Sequence, residues 1–373
     1  MSSYLVLAYE RIVGRKKTNN SNKNRDKCPA EHYGQMRIII HLCTKTKLKI
    51  MKRLLLIFLF LFLFSCRKDD NATPTRDIYI CGDGADDNAS IAKYWKNGLA
   101  TILPDSTKFA FANDIKVVGN DIYVAGYISG SAAYWKNGVV TKLGTKFALA
   151  DAITVVGNDV YVAGYEDNDV ATVAKYWKNG IATNLSDGTK FGLASAITVV
   201  GNNVYVAGYE NNINDVTTVK YWKNGVVTNL TDGTKSAYTY AITVVGNDIY
   251  VAGYESNGNK FVAKYWKNGV ATNLSNGTKS AFTTAITVIG NDIYVAGFES
   301  NGTKYVAKYW KNGVATNLSD GTNDAYAYDM TVVDNDVYVV GYDGVFAKYW
   351  KNGTATNLSD GTNETHATGI VVK

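Results

Sequence analysis

Apolar positions in this chain come in short runs of about five, without the 3.6-residue spacing of a helix. From residue 77 onward, runs rich in Val, Ile, Tyr and Thr are broken every six to ten residues by Gly, Asn or Asp, which predicts strands joined by turns. One unit shows the layout, with predicted strands over 241–245, 249–254, 261–266 and 270–274. Gly246-Asn247 and Asn268-Gly269 are two-residue hairpin signals, since both tolerate the positive φ such turns require. The phrase VAKYWKNGVATNLSDGT at Val306–Thr322 returns with one letter changed at Val262–Thr278, and in looser form five more times. All seven tryptophans lie in this phrase, 40 to 45 residues apart.

A β-rich repeat of that period predicts propeller blades. Runs such as IYVAGY (249–254) are almost continuously apolar, so both faces of each sheet should be covered by neighbours. The first unit starts at a second-strand motif, 78–82, and the chain ends on a first-strand motif, 370–372, with no unit of its own. The expected fold is therefore all-β: a seven-bladed β-propeller of four-stranded antiparallel blades over 77–373, closed by the C-terminal strand pairing into the N-terminal blade.

Charge separates this domain from what precedes it. The formal net charge is +6, but residues 1–66 hold 13 Lys+Arg against 3 Asp+Glu, whereas 67–373 hold 26 against 30. The basic balance belongs to the leader, and no basic patch remains to follow a phosphate backbone, which excludes nucleic acid as a partner. Within the leader, Lys52 and Arg53 precede eleven apolar residues, 54–64, too few to span a bilayer but suited to a signal peptide over 51–65. Leu63-Phe64-Ser65-Cys66 resembles the lipobox of bacterial lipoproteins. That resemblance implies lipidation of Cys66, a polar tether over 66–76, and membrane attachment through the lipid anchor alone. Arg67-Lys68-Asp69-Asp70-Asn71 is similar to signals that carry some lipoproteins to the outside of the outer membrane, against the plainer reading of a solvated tether, so the expected location is the cell surface, with the periplasmic face as the alternative. Residues 1–50 are read as an over-extended start ahead of the initiator Met51.

The repeat loosely resembles kelch-type propellers, and it is similar to bacterial extracellular repeats with a W.NG...L core, here Trp310, Asn312, Gly313 and Leu318. It departs from kelch at the double glycine, replaced here by Ala252-Gly253-Tyr254. The resemblance covers about 77–373 and implies the fold, not a ligand.

Candidate chemistry is sparse. Past Cys66 there is one histidine, His366, one cysteine, Cys81, and two arginines, Arg67 and Arg76, both outside the repeats. Multi-histidine metal centres and an arginine cluster are excluded, and a catalytic triad could be built only on His366. No cofactor or metal is expected. Cys81, where most repeats have Ala, reads as a small core residue. The tryptophans read as inter-blade packing rather than as sugar-stacking platforms, Lys308 and Lys311 as a solvated strand edge, and Glu166, Glu210, Glu255, Glu299 and Asp343 as surface carboxylates facing lysines rather than calcium ligands. Variation concentrates in the loop after the second strand and in a column just before each first strand: Asn113, Asp151, Ser195, Tyr240, Thr284, Tyr328 and Thr368. The column is expected to ring the mouth of the central channel on the long-loop face, and these are the ligand-binding candidates, against the plainer reading of drift in exposed loops.

These features point to a surface-anchored, non-catalytic binding module for protein or glycan partners. A glycan-cleaving enzyme using Asp151, Asp114 and Asp329 is the alternative, as is a structural or adhesive scaffold. For the leader, mass spectrometry of the native protein is expected to recover nothing from 1–50 and to find an acylated Cys66 as the N-terminus. A peptide from 1–50 or an unmodified Cys66 would refute that reading.

Overall fold

The computed structural model describes residues 76–86, 89–105 and 109–373, so Cys66, the signal peptide and the tether's first residues lie outside the described part. The described chain forms seven four-stranded antiparallel sheets. Blades 2 to 7 are continuous in sequence, over 110–143, 148–184, 192–229, 237–273, 281–317 and 325–357. Blade 1 combines both ends of the domain. Its inner strand is Thr365–Val372, which pairs with Ile78–Asp86, followed by Ala89–Lys96 and Leu99–Ile102. Ile80 faces Ile370 in this pairing, and Asp77 and Lys373 exchange two backbone hydrogen bonds of 2.9 Å at its end. The ring is closed as the sequence predicts.

Turn chemistry explains the most repetitive letters. Asn268 and Gly269 have φ of 50° and 86°, the doubly left-handed hairpin that Asn-Gly favours. Asn268 also ties this turn to its neighbour, accepting from Ile249 N at 2.8 Å and donating to Asp248 Oδ1 at 2.7 Å, while Lys267 pairs with Asp248 at 2.8 Å. Corresponding Asn side chains clamp the other blades, so the Lys-Asn-Gly phrase holds the tight turns of one face together.

Packing between blades uses the tryptophans. None is more than 2% exposed, so none can stack on a sugar. Each fills the seam with the preceding blade: Trp177 of blade 3 clusters with Tyr123 and Ala125 of blade 2, and Trp95 of blade 1 with Tyr338 and Val340 of blade 7. A seam Trp buries roughly 150–250 Å2, and the facing alanines leave room for it. Cys81 is a free, buried member of the same packing.

Two expectations need correction. Lys308 is buried and ion-paired with Glu299, as Lys264 is with Glu255; only Lys311 lies at the solvated edge, paired with Asp292. Likewise Lys175 and Glu166 pair at 2.5 Å, with Glu166 also accepting from Thr145 N and Lys146 N. Blade 2 replaces the pair by Ile128 and Ala133, both buried, which shows that the site tolerates an apolar filling. Strand alternation separates the two lysines: Lys308 shares the face of the buried Trp310, with its Nζ 5.7 Å from that ring, whereas Lys311, three positions on, lies on the other face.

The second correction concerns the first strands. They begin earlier than predicted: Ala237–Val245 rather than 241–245, and Thr365–Val372 rather than 370–372. An extra residue in each breaks the alternation that would otherwise reveal it.

Deleting 366–373 removes the inner strand of blade 1 and opens the ring. The expected result is a large fall in melting temperature, read by calorimetry; a truncated protein melting like the full chain would contradict the closure.

Candidate functional site

The extra residue is a β-bulge, and it occurs at the same place in all seven inner strands. In blade 2 the register passes from Ala112 opposite Gly126 to Asp114 opposite Ala125, leaving Asn113 unpaired. The same step omits Asp151, Ser195, Tyr240, Thr284, Tyr328 and Thr368. Every residue of the variable column is therefore a bulge residue inside a strand, not a loop residue before one. A bulge turns its side chain away from the regular alternation.

Glycine makes the bulge possible. A Cβ on Gly126 would lie 1.9 Å from the carbonyl oxygen of Phe111, and a Cβ on Gly297 2.0 Å from that of Phe282. The Gly of each Ala-Gly-Tyr motif is thus required by space. A lone Gly inside a strand pattern is the sequence signal from which the bulge was readable.

All seven bulge residues line one central channel of about 840 Å3. Four of them stitch the blades together by donating to the carbonyl that precedes the next blade's bulge. Asn113 Nδ2 reaches Ala150 O at 2.9 Å, Ser195 Oγ reaches Thr239 O at 2.6 Å, Thr284 Oγ1 reaches Ala327 O at 2.8 Å, and Thr368 Oγ1 reaches Ala112 O at 2.6 Å. Tyr240 and Tyr328 instead present their rings: Tyr240 stacks on Tyr254 (6.1 Å, 22°), and Tyr328 packs against Tyr342 (5.7 Å).

Those two rings belong to a belt on the long-loop side. It runs from Phe191 and Tyr209 through Tyr238, Tyr254, Phe282, Phe298 and Tyr326 to Tyr342, with neighbouring ring centroids 4.6–6.2 Å apart, and ends where His366 meets Tyr342 edge-on at 4.6 Å. Tyr254, Phe282 and Phe298 of the belt reach the channel. The sequence showed these aromatics one by one, but only the closed ring sets them side by side.

The rest of the lining includes charged groups. Asp114 accepts from Ile115 N and Lys116 through Oδ1 (both 2.8 Å) and from Ile153 N of the next blade through Oδ2 (2.9 Å). Asp329 accepts from Met330 N (2.8 Å) and Ile370 N (2.9 Å). Burial opposes the charge of Lys116, but Asp114 and Asp329 outweigh it and hold its pKa above the ordinary value. Burial raises Asp329 to about 6, with Lys116 pulling the other way. His366, between Asp83 at 3.4 Å and Glu364 at 3.3 Å, is raised chiefly by its contact with Asp83.

Asp151 differs from all of these. Its Oδ2 is buried with no hydrogen-bond partner among the described residues, and burial alone pushes its pKa to about 7. In the repeat frame its acceptor across the seam would be Ala194, and above about pH 7, where it ionises, the carboxylate has no hydrogen to give. Of the three acids considered for glycan cleavage, two have both oxygens engaged, whereas a two-carboxylate mechanism needs two available groups. No cluster of three or more His, Cys, Asp or Glu suited to a metal occurs among the described residues.

No protein-family model matches the chain, and no curated protein matches it in sequence. Solved structures do match. A puromycin-hydrolysing peptidase of Mycobacterium tuberculosis does so with a TM-score of 0.54 and 9% identity, over 76% of this chain and 53% of that one. The β-propeller domain of the Trilobed protease from Pyrococcus furiosus gives 0.49 and 10%, over 76% and 95%. An acylaminoacyl peptidase of Pyrococcus horikoshii gives 0.46 and 11%, over 76% and 52%. The chain spans about half the length of the Mycobacterium peptidase, and at such identity the likeness is one of β-propeller fold alone.

The orphaned carboxylate yields a signed prediction. Its folded pKa of about 7 lies above the ordinary 3.8, so the native state holds the proton more tightly. The stability this contributes is present below about pH 4 and lost as pH rises through about 7. Asp151→Asn has no such dependence and can donate across the seam as Asn113 does. It is expected to stabilise the protein by about 1–2 kcal/mol at pH 8 and by less at pH 4, measured by denaturant unfolding. A destabilised D151N at pH 8 would mean that the carboxylate has a partner in solution.

Proposed function

We propose that the chain is a lipid-anchored, non-catalytic binding module of the bacterial cell surface, and that the mouth of its channel takes a glycan. The observation that carries this reading is the aromatic belt entering a concave, half-polar channel. Sugar rings present apolar C–H faces suited to stacking on Tyr and Phe, together with hydroxyls that need polar partners. The volume of about 840 Å3 is that of a small-ligand site rather than of a flat protein interface. Frame and site have also diverged differently. The turns and seams repeat almost letter for letter, whereas the seven bulge residues comprise Asn, Asp, Ser, two Tyr and two Thr. The kelch-like and extracellular-repeat resemblance agrees with a display role, and the lipobox at Cys66 supports the anchor.

Glycan-array binding by the purified protein tests the reading. Tyr240→Ala and Tyr328→Ala are each expected to weaken binding at least tenfold with little change in melting temperature, because Tyr240 is 41% exposed and neither ring fills a seam. On intact cells, external protease is expected to release the propeller. Retention of no glycan, or binding indifferent to both substitutions, would refute the glycan assignment; protection from protease would place the anchor on the periplasmic side.

A further inference from the structure

The channel is lopsided. Blades 5 to 7 contribute Tyr240, Tyr254, Phe282 and Tyr328 with one acid, Asp329, whereas blades 1 to 3 contribute Asp83, Asp114, Asp151 and Lys116. Most of the charge is balanced within the protein, Asp114 and Asp329 around Lys116 and Asp83 by His366. Asp151 keeps one buried oxygen, Oδ2, with no hydrogen-bond partner among the described residues.

A carboxylate with one oxygen buried and unpartnered is costly, and the repeat offers cheaper residues at that position. Asn113, one blade earlier, makes the seam bond at 2.9 Å, and Ser195, one blade later, makes it at 2.6 Å. Retaining an acid between them is the signature of a group kept for a ligand rather than for the fold. An ionised carboxylate in such surroundings calls for a cation that carries its own N–H donors. The absence of a metal-ligand cluster among the described residues points away from a divalent ion. The neighbourhood is also aromatic. Tyr165 and Tyr209 lie within electrostatic reach of Asp151, and Tyr209 meets Tyr240 at 6.4 Å, which in turn stacks on Tyr254. Phenol faces favour an organic ammonium ion.

We propose that the channel selects a glycan bearing a free, protonated amine, with the Asp151 carboxylate facing the ammonium and the Tyr240 and Tyr254 rings stacking on the sugar. This rests on the glycan reading of the channel mouth and adds to it the charge of the sugar. N-acetylation of that amine removes the cation and leaves the ring unchanged, so the acetylated sugar is the competitor the site rejects.

Titration calorimetry with chitosan oligosaccharides and with chitin oligosaccharides of equal length separates the two claims. The wild-type protein is expected to bind the free amine at least tenfold more tightly than the N-acetylated sugar. Asp151→Asn should erase that preference while keeping the weaker binding of the acetylated oligosaccharide and an unchanged or higher melting temperature. Equal binding of the two sugars by the wild type, or a preference that survives D151N, overturns the amine assignment and leaves the glycan reading standing. If neither sugar binds, both fall.

Discussion

Everything in this molecule depends on burying both faces of seven thin sheets. A four-stranded blade cannot bury its own faces, so each must lie against a neighbour, and the arrangement is complete only when the last sheet meets the first. The seam Trp supplies the apolar area, and facing alanines let the sheets approach closely enough for it to pack. Closure follows from the same requirement. With Thr365–Val372 withdrawn, blade 1 would lose its inner strand and the seams on either side of the axis would open to water. The buried Lys–Glu pairs sit in this frame as tolerated features rather than its support, as the apolar Ile128 and Ala133 in blade 2 indicate.

The bulge converts that frame into a site. A glycine in the second strand lets the inner strand carry one extra residue, and the bulge aims that residue at the axis. Seven positions are thereby released from the alternation that governs their neighbours. Four of them return something to the frame through the inter-blade hydrogen bond. Two give rings to the channel, and one, Asp151, leaves a carboxylate unmatched. Repetition and specificity thus occupy different residues of the same strands.

Much of this was legible beforehand, for physical reasons. Strand period, Asn-Gly turns and Trp spacing are local properties, so blade number and ring closure could be read from letters alone. The variable column was visible as a column, and its members do line the channel. Its setting was misread because an extra residue breaks the alternation, although the lone Gly opposite each bulge was a usable sign.

What the sequence by itself determined is the architecture: seven blades and their turns, encoded by contacts within some forty residues, and a closing strand legible as a leftover motif although it pairs Ile370 with the distant Ile80. Only the tertiary structure decided which rings form one belt and which acid is left without a partner. Those properties come from residues on different blades meeting around an axis. No stretch of sequence records that Ala194, one blade on from Asp151, holds the place at which Asn113, Ser195, Thr284 and Thr368 find their acceptor on the next blade.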